Sequence, residues 1–485
     1  MDALNDGIVT LNDAFWTFLL IPLLLVLAVY FTVRSGVVQL RLLPEMFRVI
    51  RSQPGIAPDG KKEISSFQAF AISAAARVGT GNIVGVAVAI TLGGPGAVFW
   101  MWLMAMVVGA ASFVESTLAQ LYKVPVSTGF RGGPAYYMLH GLKQRWMGVL
   151  FAVVITVTFA FVFNSVQANS IADSIVGSAD SLGFTTGHGL EIAIGAALTL
   201  VTGLVIFGGV RRIAHVAQTL VPFMAIIYIL LGLVVVGMNI EQVPAILSDI
   251  VASAFGLKEF VTGGLVAAIM NGMRRGMFSN EAGMGSAPNA GATASVTHPV
   301  KQGLVQTLGV YFDTLLVCSV TAFIVLMSDP TYGEDAGIAV TQGALAANLG
   351  SWSVHALTII MFLLSFTSVL GNYYYGESNL AFLSAKPGVM TGYRVLVLVM
   401  VFFGSFAPLQ LVWNMADVSM GVMATINLIA LAPLCGIAFI LLRDYTDQRR
   451  RGIDPVFSRD NYPQLTGVQC WGSESDEYGS PATRS

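Results

Sequence analysis

The sequence predicts an all-α polytopic membrane protein, and three observations carry that prediction. Apolar stretches near the roughly 20-residue length needed to cross a bilayer recur from end to end. Only 11% of the 485 residues are charged and 55% are hydrophobic, with a mean hydropathy of +0.73. Two of the apolar stretches are interrupted by glycine-rich sequence, Gly79-Thr80-Gly81-Asn82 in one and Asn280-Glu281-Ala282-Gly283-Met284-Gly285 in the other. Hydrocarbon cannot satisfy the N–H and C=O groups freed at such a break, so a break at membrane depth is buried or lines a polar cavity. Two breaks in corresponding halves of a membrane protein point to a transport site.

Taken in order, about eleven transmembrane helices are expected by the roughly 20-residue criterion. They are 14–33, 66–91, 96–121, 146–173, 190–208, 214–237, 262–296, 301–327, 352–384, 393–411 and 417–442. Segments 66–91 and 262–296 are the broken ones, and 352–384 is long enough to extend beyond the membrane. The linker 34–65 holds Pro44, Pro54, Pro58 and Gly60 among basic residues and is expected along the membrane surface. The semi-apolar stretches 240–258 and 335–349 are expected as short interfacial helices or as lids. The polar tail after Asp444 is expected to be largely flexible. The N-terminus is acidic (Asp2, Asp6, Asp13) and lacks a basic n-region, so 14–33 reads as a retained span and not as a cleaved signal.

Charge placement orients these spans. Segments on one side carry the basic residues of the linker (Arg34, Arg41, Arg48, Arg51, Lys61, Lys62), then Lys123, Arg131, Lys143, Arg145, Arg211, Arg212, Lys301, Lys386 and Arg394, and the arginines of the tail through Arg484. Segments on the other side carry Asp173, Asp180, Glu241, Asp249, Asp329, Glu334, Asp335 and Asp417, with Lys258 as their only basic residue. The basic side is therefore expected to be cytoplasmic, with the N-terminus outside and the C-terminus inside. Setting the first span aside leaves two sets of five, each opening with a broken helix, and the two broken helices run in opposite directions. That is the signature of a 5+5 inverted repeat with its site at the midplane. The divisions expected are 1–65 (outside segment, first helix and linker), 66–238 (first repeat), 239–442 (outer loop and second repeat) and 443–485 (cytoplasmic tail).

The chemistry of the breaks follows from helix ends. Where the inner half of the first broken helix stops, the carbonyls from Ala75 to Val78 are free and suit a dehydrated Na⁺. Where the outer half begins, the N–H groups of Thr80 to Ile83 suit a carboxylate. The second break, Phe278–Gly285, repeats the provision, and Ser279 and Asn280 add side-chain donors and acceptors. Glycine at 79, 81, 283 and 285 lets the backbone turn and come close to a small ligand. The competing reading makes both breaks flexible kinks or close-packing glycines. No Asp or Glu occurs from Gln68 to Gly94, which favours a zwitterion over a lone amine as ligand.

Ionisable residues in or near spans are costly and point to function by default. Arg77 and Glu281, at the breaks, are expected to pair with other charges and hold the half-helices or a gate. Arg274 and Arg275 either form an outer gate with an acidic partner or snorkel. Glu115, Asp313 and Glu377 are expected in structural pairs or at the interface, with proton coupling through Glu281 or Asp313 as the alternative. Phe278 is either an aromatic gate or ordinary packing, and Tyr373 to Tyr375 read as an interfacial aromatic cluster. Enzymatic chemistry finds no support. The histidines (140, 188, 215, 298, 355) show no metal-ligand pair, Cys318, Cys435 and Cys470 show no ligand spacing, and there is no nucleotide loop or nucleophile elbow. No organic cofactor or nucleic-acid partner is expected. A symporter and a channel or facilitator remain as the two transport readings.

Four long motifs carry a resemblance. Gly79-Thr80-Gly81-Asn82-Ile83, Gly93-Gly94-Pro95-Gly96-Ala97-Val98-Phe99-Trp100-Met101-Trp102, Arg131-Gly132-Gly133-Pro134-Ala135-Tyr136-Tyr137-Met138 and Phe278-Ser279-Asn280-Glu281-Ala282-Gly283-Met284-Gly285-Ser286 closely resemble the alanine or glycine:cation symporter family, in order over roughly residues 14 to 455. The resemblance implies a leucine-transporter-type fold with one extra N-terminal helix, in a bacterial inner membrane, carrying small neutral amino acids with Na⁺ or, in some members, H⁺. It assigns substrate contacts to Gly79, Thr80, Gly81 and Asn82, to Phe278, Ser279, Asn280 and Glu281, and to Gln167 of the third core helix. It assigns sodium contacts to Thr367 and Ser368 with Ser365 nearby, beside the Ala75 and Val78 carbonyls. Family members commonly carry Trp where this chain has Asn372, a change that would admit a larger or more polar substrate than alanine.

Overall fold

The computed structural model describes residues 10, 12–53, 62–126, 129–184, 186–333, 337–384 and 386–472, with the side chains of residues 210 and 211 excepted. Asp2, Asp6, Pro54, Pro58, Gly60, Lys61, Glu334, Asp335, Arg484 and the side chain of Arg211 therefore lie outside the described residues. The chain is a helical membrane protein. Its main helices are α1 (Asn12–Arg34), α2 (Ser66–Arg77), α3 (Gly81–Gly93), α4 (Gly96–Leu121), α5 (Arg145–Ser181), α6 (His188–Ile206), α7 (Arg212–Met238), α8 (Gly264–Asn280), α9 (Ala287–Gly291), α10 (Val300–Leu326), α11 (Trp352–Leu383), α12 (Pro387–Gly404) and α13 (Leu409–Arg450). Among the described residues nine of these are long and apolar enough to cross a membrane, and α2 with α3, bent by 54°, makes a tenth span. The stretch expected as one broken span at 262–296 divides into the 17-residue α8, a non-helical turn and the 5-residue α9.

Local chemistry places the breaks. A capping box starts α2: Ser65 Oγ accepts from the Gln68 N–H (3.1 Å) and Gln68 Oε1 accepts from the Ser65 N–H (3.0 Å). Val78, extended at φ −81° and ψ 93°, ends it. The end of α8 is a left-handed stretch, with φ of +57° at Glu281, +79° at Gly283 and +83° at Gly285. Glycine is the residue for two of those positions, and Glu281 is held there against its preference.

The two broken segments run antiparallel along their whole length. The Ser295 N–H donates to the Ile64 carbonyl at 2.9 Å. At the middle, a Cβ on Gly81 would lie 2.9 Å from Phe278 Cδ1 and 3.2 Å from Ser279 Cα; at the far end, one on Gly93 would lie 3.1 Å from the Ala267 carbonyl. Small residues permit this close crossing. Helices α4 and α10 flank the pair and are buried over most of their length.

Several expected boundaries move. Pro387 starts α12 six residues before the expected 393, because its fixed φ suits the first helical turn. The helix ends at Gly404, and α13 begins at Leu409 and runs unbroken to Arg450, where 417–442 was expected. Helix α5 likewise continues past 173 to Ser181. Hydropathy marks the apolar part of a helix, whereas proline and caps set where it stops. The stretches 240–258 and 335–349 contain the short helices Val243–Ala254 and Ile338–Leu349. The linker forms Val38–Arg41 and Leu43–Val49, which bury Met46 and Val49.

The tail corrects an expectation. Residues 451–472 are docked on the basic face of the helices and are not loose. Asp454 meets Lys301 (2.7 Å) and Arg48 (3.1 Å). Phe457 N–H donates to the Thr297 carbonyl (2.9 Å), and Trp471 Nε1 donates to the Gln120 carbonyl (3.2 Å). Lys123 Nζ lies 3.8 Å from the Phe130 ring centre and 4.6 Å from that of Trp471. Apolar Phe457, Leu465 and Trp471 supply the burial that a reading of polar composition misses. Tyr373, Tyr374 and Tyr375 are likewise buried inside the bundle, not at an interface.

Candidate functional site

The first break is satisfied by side chains from three helices. The Gly79 N–H donates to Asn82 Oδ1 (2.9 Å), which diverts it from the Ala75 carbonyl, its partner in an unbroken helix. Thr80 donates twice to Gln167 Oε1 of α5, from its N–H (3.1 Å) and its hydroxyl (2.8 Å). Thr80 Oγ1 also lies 3.1 Å from Ser365 Oγ of α11. Ser368 Oγ, one turn on, donates to the Val78 carbonyl at 3.4 Å and to Leu364 at 3.2 Å. A Cβ on Gly79 would lie 2.2 Å from Ser368 Oγ and 2.9 Å from Gln167 Oε1, so glycine serves close approach here, not a left-handed turn.

The structure thus brings Val78, Gly79, Thr80, Gln167, Ser365 and Ser368 together. Ala75 packs with Ala74, Ala217 and Val221 on the α7 side. Thr367 Oγ1 bonds back to Leu364 of its own helix at 2.8 Å. Asn82 and Ser279 meet at another point, the Asp313 carboxylate of α10. Asn82 Nδ2 (2.7 Å), Ser279 Oγ (2.7 Å) and Thr314 Oγ1 (3.0 Å) all donate to it. Cys318 Sγ touches both Asn82 Nδ2 and Ser279 Oγ, and Thr321 Oγ1 donates to the Asn82 carbonyl at 2.6 Å. Asn280 faces the same helix, donating to Thr314 Oγ1 (3.2 Å) and accepting from Ala282 N–H (3.0 Å). Asp313 therefore ties the two breaks together. It has no cationic partner within ion-pair distance among the described residues.

At the second break the N–H groups are already taken. Gly283 and Gly285 donate to Glu115 of α4 at 3.2 and 3.1 Å, and Asn427 Nδ2 of α13 donates to it at 2.8 Å. Tyr137 hydrogen-bonds Asn427 Oδ1 behind it. An internal carboxylate caps this break where an external anion was expected. Phe278, Ser279 and Asn280 lie in the last turn of α8, so their N–H groups belong to the helix. Glu281 accepts from Ser286 Oγ at 2.7 Å.

The expected charge pairs resolve differently. Arg77, 2% exposed, donates through Nη1 to the Gln306 carbonyl (3.2 Å), while its Nε and Nη2 have no partner among the described residues. Neither it nor Glu281 forms an ion pair there, which corrects the expectation for both. Arg275 pairs with Asp417 of α13 at 2.6 Å and stacks on Trp413 at 4.5 Å, whereas Arg274 reaches Asp13 at 2.7 Å. Phe278 lies against Trp413 (4.9 Å) and Phe163 (4.7 Å) beneath that pair. Above it opens a cleft of about 440 Å³ lined by Asp13, Arg274, Trp413 and Asn414. Glu377 meets Arg394 at 3.4 Å. Asn372 is fully buried with neither side-chain atom partnered among the described residues, an arrangement that costs about 1–3 kcal/mol per unmet group.

Sequence reasoning did not assign Glu115 to the second break or Asp313 to the junction of both. The available signal was position: each is a lone acid well inside an apolar run, and the structure buries both completely.

Comparison with known proteins follows the same lines. The profile described as "Sodium:alanine symporter family" matches residues 1–459. The chain is 51% identical to the probable sodium/glutamine symporter GlnT of Bacillus subtilis (strain 168), covering 95% of this chain and 94% of that one. It is 49% identical to the amino-acid carrier protein AlsT of the same organism, covering 96% and 97%. It is 35% identical to the sodium/alanine symporter AgcS of Methanococcus maripaludis, covering 91% and 97%. These matches point to a transporter and not an enzyme, and the chain belongs to the sodium:alanine symporter family.

Proposed function

We propose that this protein is a secondary active symporter that imports a small neutral amino acid with Na⁺ by alternating access. Family membership supports sodium-coupled amino-acid symport in general. The relatives' names span alanine and glutamine, and the resemblance favours the alanine or glycine type. One observation supports the mechanism most: two antiparallel broken helices touch at Gly81 and Phe278, in a fully buried junction where backbone groups and hydroxyls converge. In this reading the ion sits at the Val78 and Ala75 carbonyls with Ser365, Thr367 and Ser368. The substrate carboxylate competes with Gln167 Oε1 for the Thr80 N–H and hydroxyl. Phe278, Trp413 and the Arg275–Asp417 pair close the path to the acidic face. The basic face is cytoplasmic, and residues 66–238 and 239–442 are the two inverted repeats.

Proteoliposomes carrying the purified protein decide between this and a facilitator. An imposed inward Na⁺ gradient is expected to drive labelled amino acid above equilibrium. Uptake indifferent to Na⁺ would refute symport. Asn82→Asp places a second carboxylate against Asp313 and is expected to cut Na⁺-driven uptake at least tenfold without loss of expression.

A further inference from the structure

Gly79, Thr80, Gln167, Ser365 and Ser368 are matched around the first break, whereas, besides Arg77 Nε and Nη2, the Asn372 amide is unmatched among the described residues. It is fully buried on α11, and neither Nδ2 nor Oδ1 has a partner among the described residues. One turn further, Tyr375 is also buried, and its hydroxyl has no partner among the described residues.

The position of Asn372 follows from its helix. It lies four residues past Ser368 and seven past Ser365, on the helical face that carries both to the first break. Its neighbours fix that face from either side. A Cβ on Gly371 would lie 2.8 Å from the Ala76 nitrogen of α2, and one on Gly376 would lie 2.8 Å from Ala160 Cβ of α5. The Tyr375 ring packs on Phe159 (5.2 Å), Phe159 on Phe163 (4.6 Å), and Phe163 on Phe278. The unpaired amide thus belongs to the wall between the first break and the aromatic cluster, beside the groups read above as holding the substrate's carboxylate.

From this geometry we infer that the protein selects an amino acid whose side chain ends in a carboxamide, which pairs with the Asn372 amide through two opposed hydrogen bonds. The inference rests on the proposed reading of this site as one for a neutral amino acid. A primary amide offers one donor and one acceptor in a plane, and another primary amide matches both. An alkyl side chain leaves both atoms unmet. A carboxylate can accept from Nδ2 but sets a second acceptor against Oδ1. A hydroxyl meets one of the two at a time. Sites built around hydrogen bonds to a substrate reject analogues that lack the group far more strongly than apolar pockets reject a missing methylene.

The test is uptake of tracer L-glutamine and L-alanine into proteoliposomes under a Na⁺ gradient, with unlabelled competitors. Glutamine or asparagine is expected to inhibit at concentrations at least tenfold below those of alanine, leucine, serine or glutamate. Asn372→Leu, which keeps the shape and removes both polar atoms, is expected to bring the glutamine-to-leucine ratio close to one. Asn372→Asp, which removes the donor, is expected to lower the same preference. The wild-type series stands without either variant. Na⁺-driven uptake in which alanine or leucine competes as well as both carboxamides overturns this inference alone. So does a transporting Asn372→Leu protein with an unchanged ratio. Absence of Na⁺-driven uptake of any neutral amino acid overturns the transport reading and this inference with it.

Discussion

Gly79 is where backbone, α5 and α11 come closest. Its missing side chain lets the Ser368 hydroxyl and Gln167 Oε1 reach the chain, because a Cβ would stand 2.2 and 2.9 Å from them. Gly79→Ala is expected to lower Na⁺-driven uptake at least tenfold, since the methyl must push aside the groups that order the break. Adding Ser368→Ala removes the closer clash and is expected to restore folding, read as detergent melting temperature, more than uptake. Equal recovery of both would mean that Ser368 serves packing only. At this scale the sequence was readable where chemistry is local. Residues 79–82 could be singled out from glycine spacing, because a helix end exposes the same groups in any fold, whereas Ser365 and Ser368 are implied by the family resemblance. The partners could not. Asn82, Ser279 and Asn280 turn to α10, and the acid that gathers the first two is 231 residues from one and 34 from the other. Nothing local records such a meeting.

Among the elements, the second break owes its shape to Glu115. Three donors converge on this carboxylate from Gly283, Gly285 and Asn427. Hydrogen bonds to a charged group contribute about 1.5–3 kcal/mol each. Glu115→Ala leaves buried N–H groups without an acceptor and is expected to lower the melting temperature markedly, whereas Glu115→Gln, which keeps one acceptor, should lose less. The docked tail makes a separate prediction. Burial pushes the Asp454 carboxyl up, but Lys301 and Arg48 outweigh it and hold the group below the usual carboxylate value. A depressed carboxyl contributes fully above its unfolded pKa of about 3.9 and loses its contribution as pH falls through the lower folded value. The tail is therefore expected to stay docked from neutral to mildly acidic pH, and Asp454→Asn to loosen it at pH 7. Maleimide labelling of the buried Cys470, located by peptide mass spectrometry, measures this. Unchanged labelling in the variant would show that the apolar contacts suffice. Helix existence was legible from hydropathy, whereas the run of α13 to Arg450 and the docking of the tail were not, since both depend on what lies beside them.

In the molecule as a whole, the proposed closure toward the acidic face rests on the buried Arg275–Asp417 pair. Arg275 and Asp417 join α8, which belongs to a broken segment, to α13, with Trp413 and Phe278 beneath. Breaking one side leaves an uncompensated buried charge, which is strongly destabilising, whereas removing both costs less. Arg275→Ala and Asp417→Ala are each expected to reduce uptake more than tenfold, and the double variant less than the product of the two. A strictly multiplicative outcome would show that the residues act independently.

A carrier that couples two cargoes must also turn round with neither aboard. During that half-cycle the first break would present unmet donors to a dry interior, and the trip would be slow. In the proposed reading Gln167 takes the passenger's place on that trip, because its Oε1 receives both Thr80 donors. Removing that stand-in would leave exchange of internal for external cargo running while net accumulation stalls.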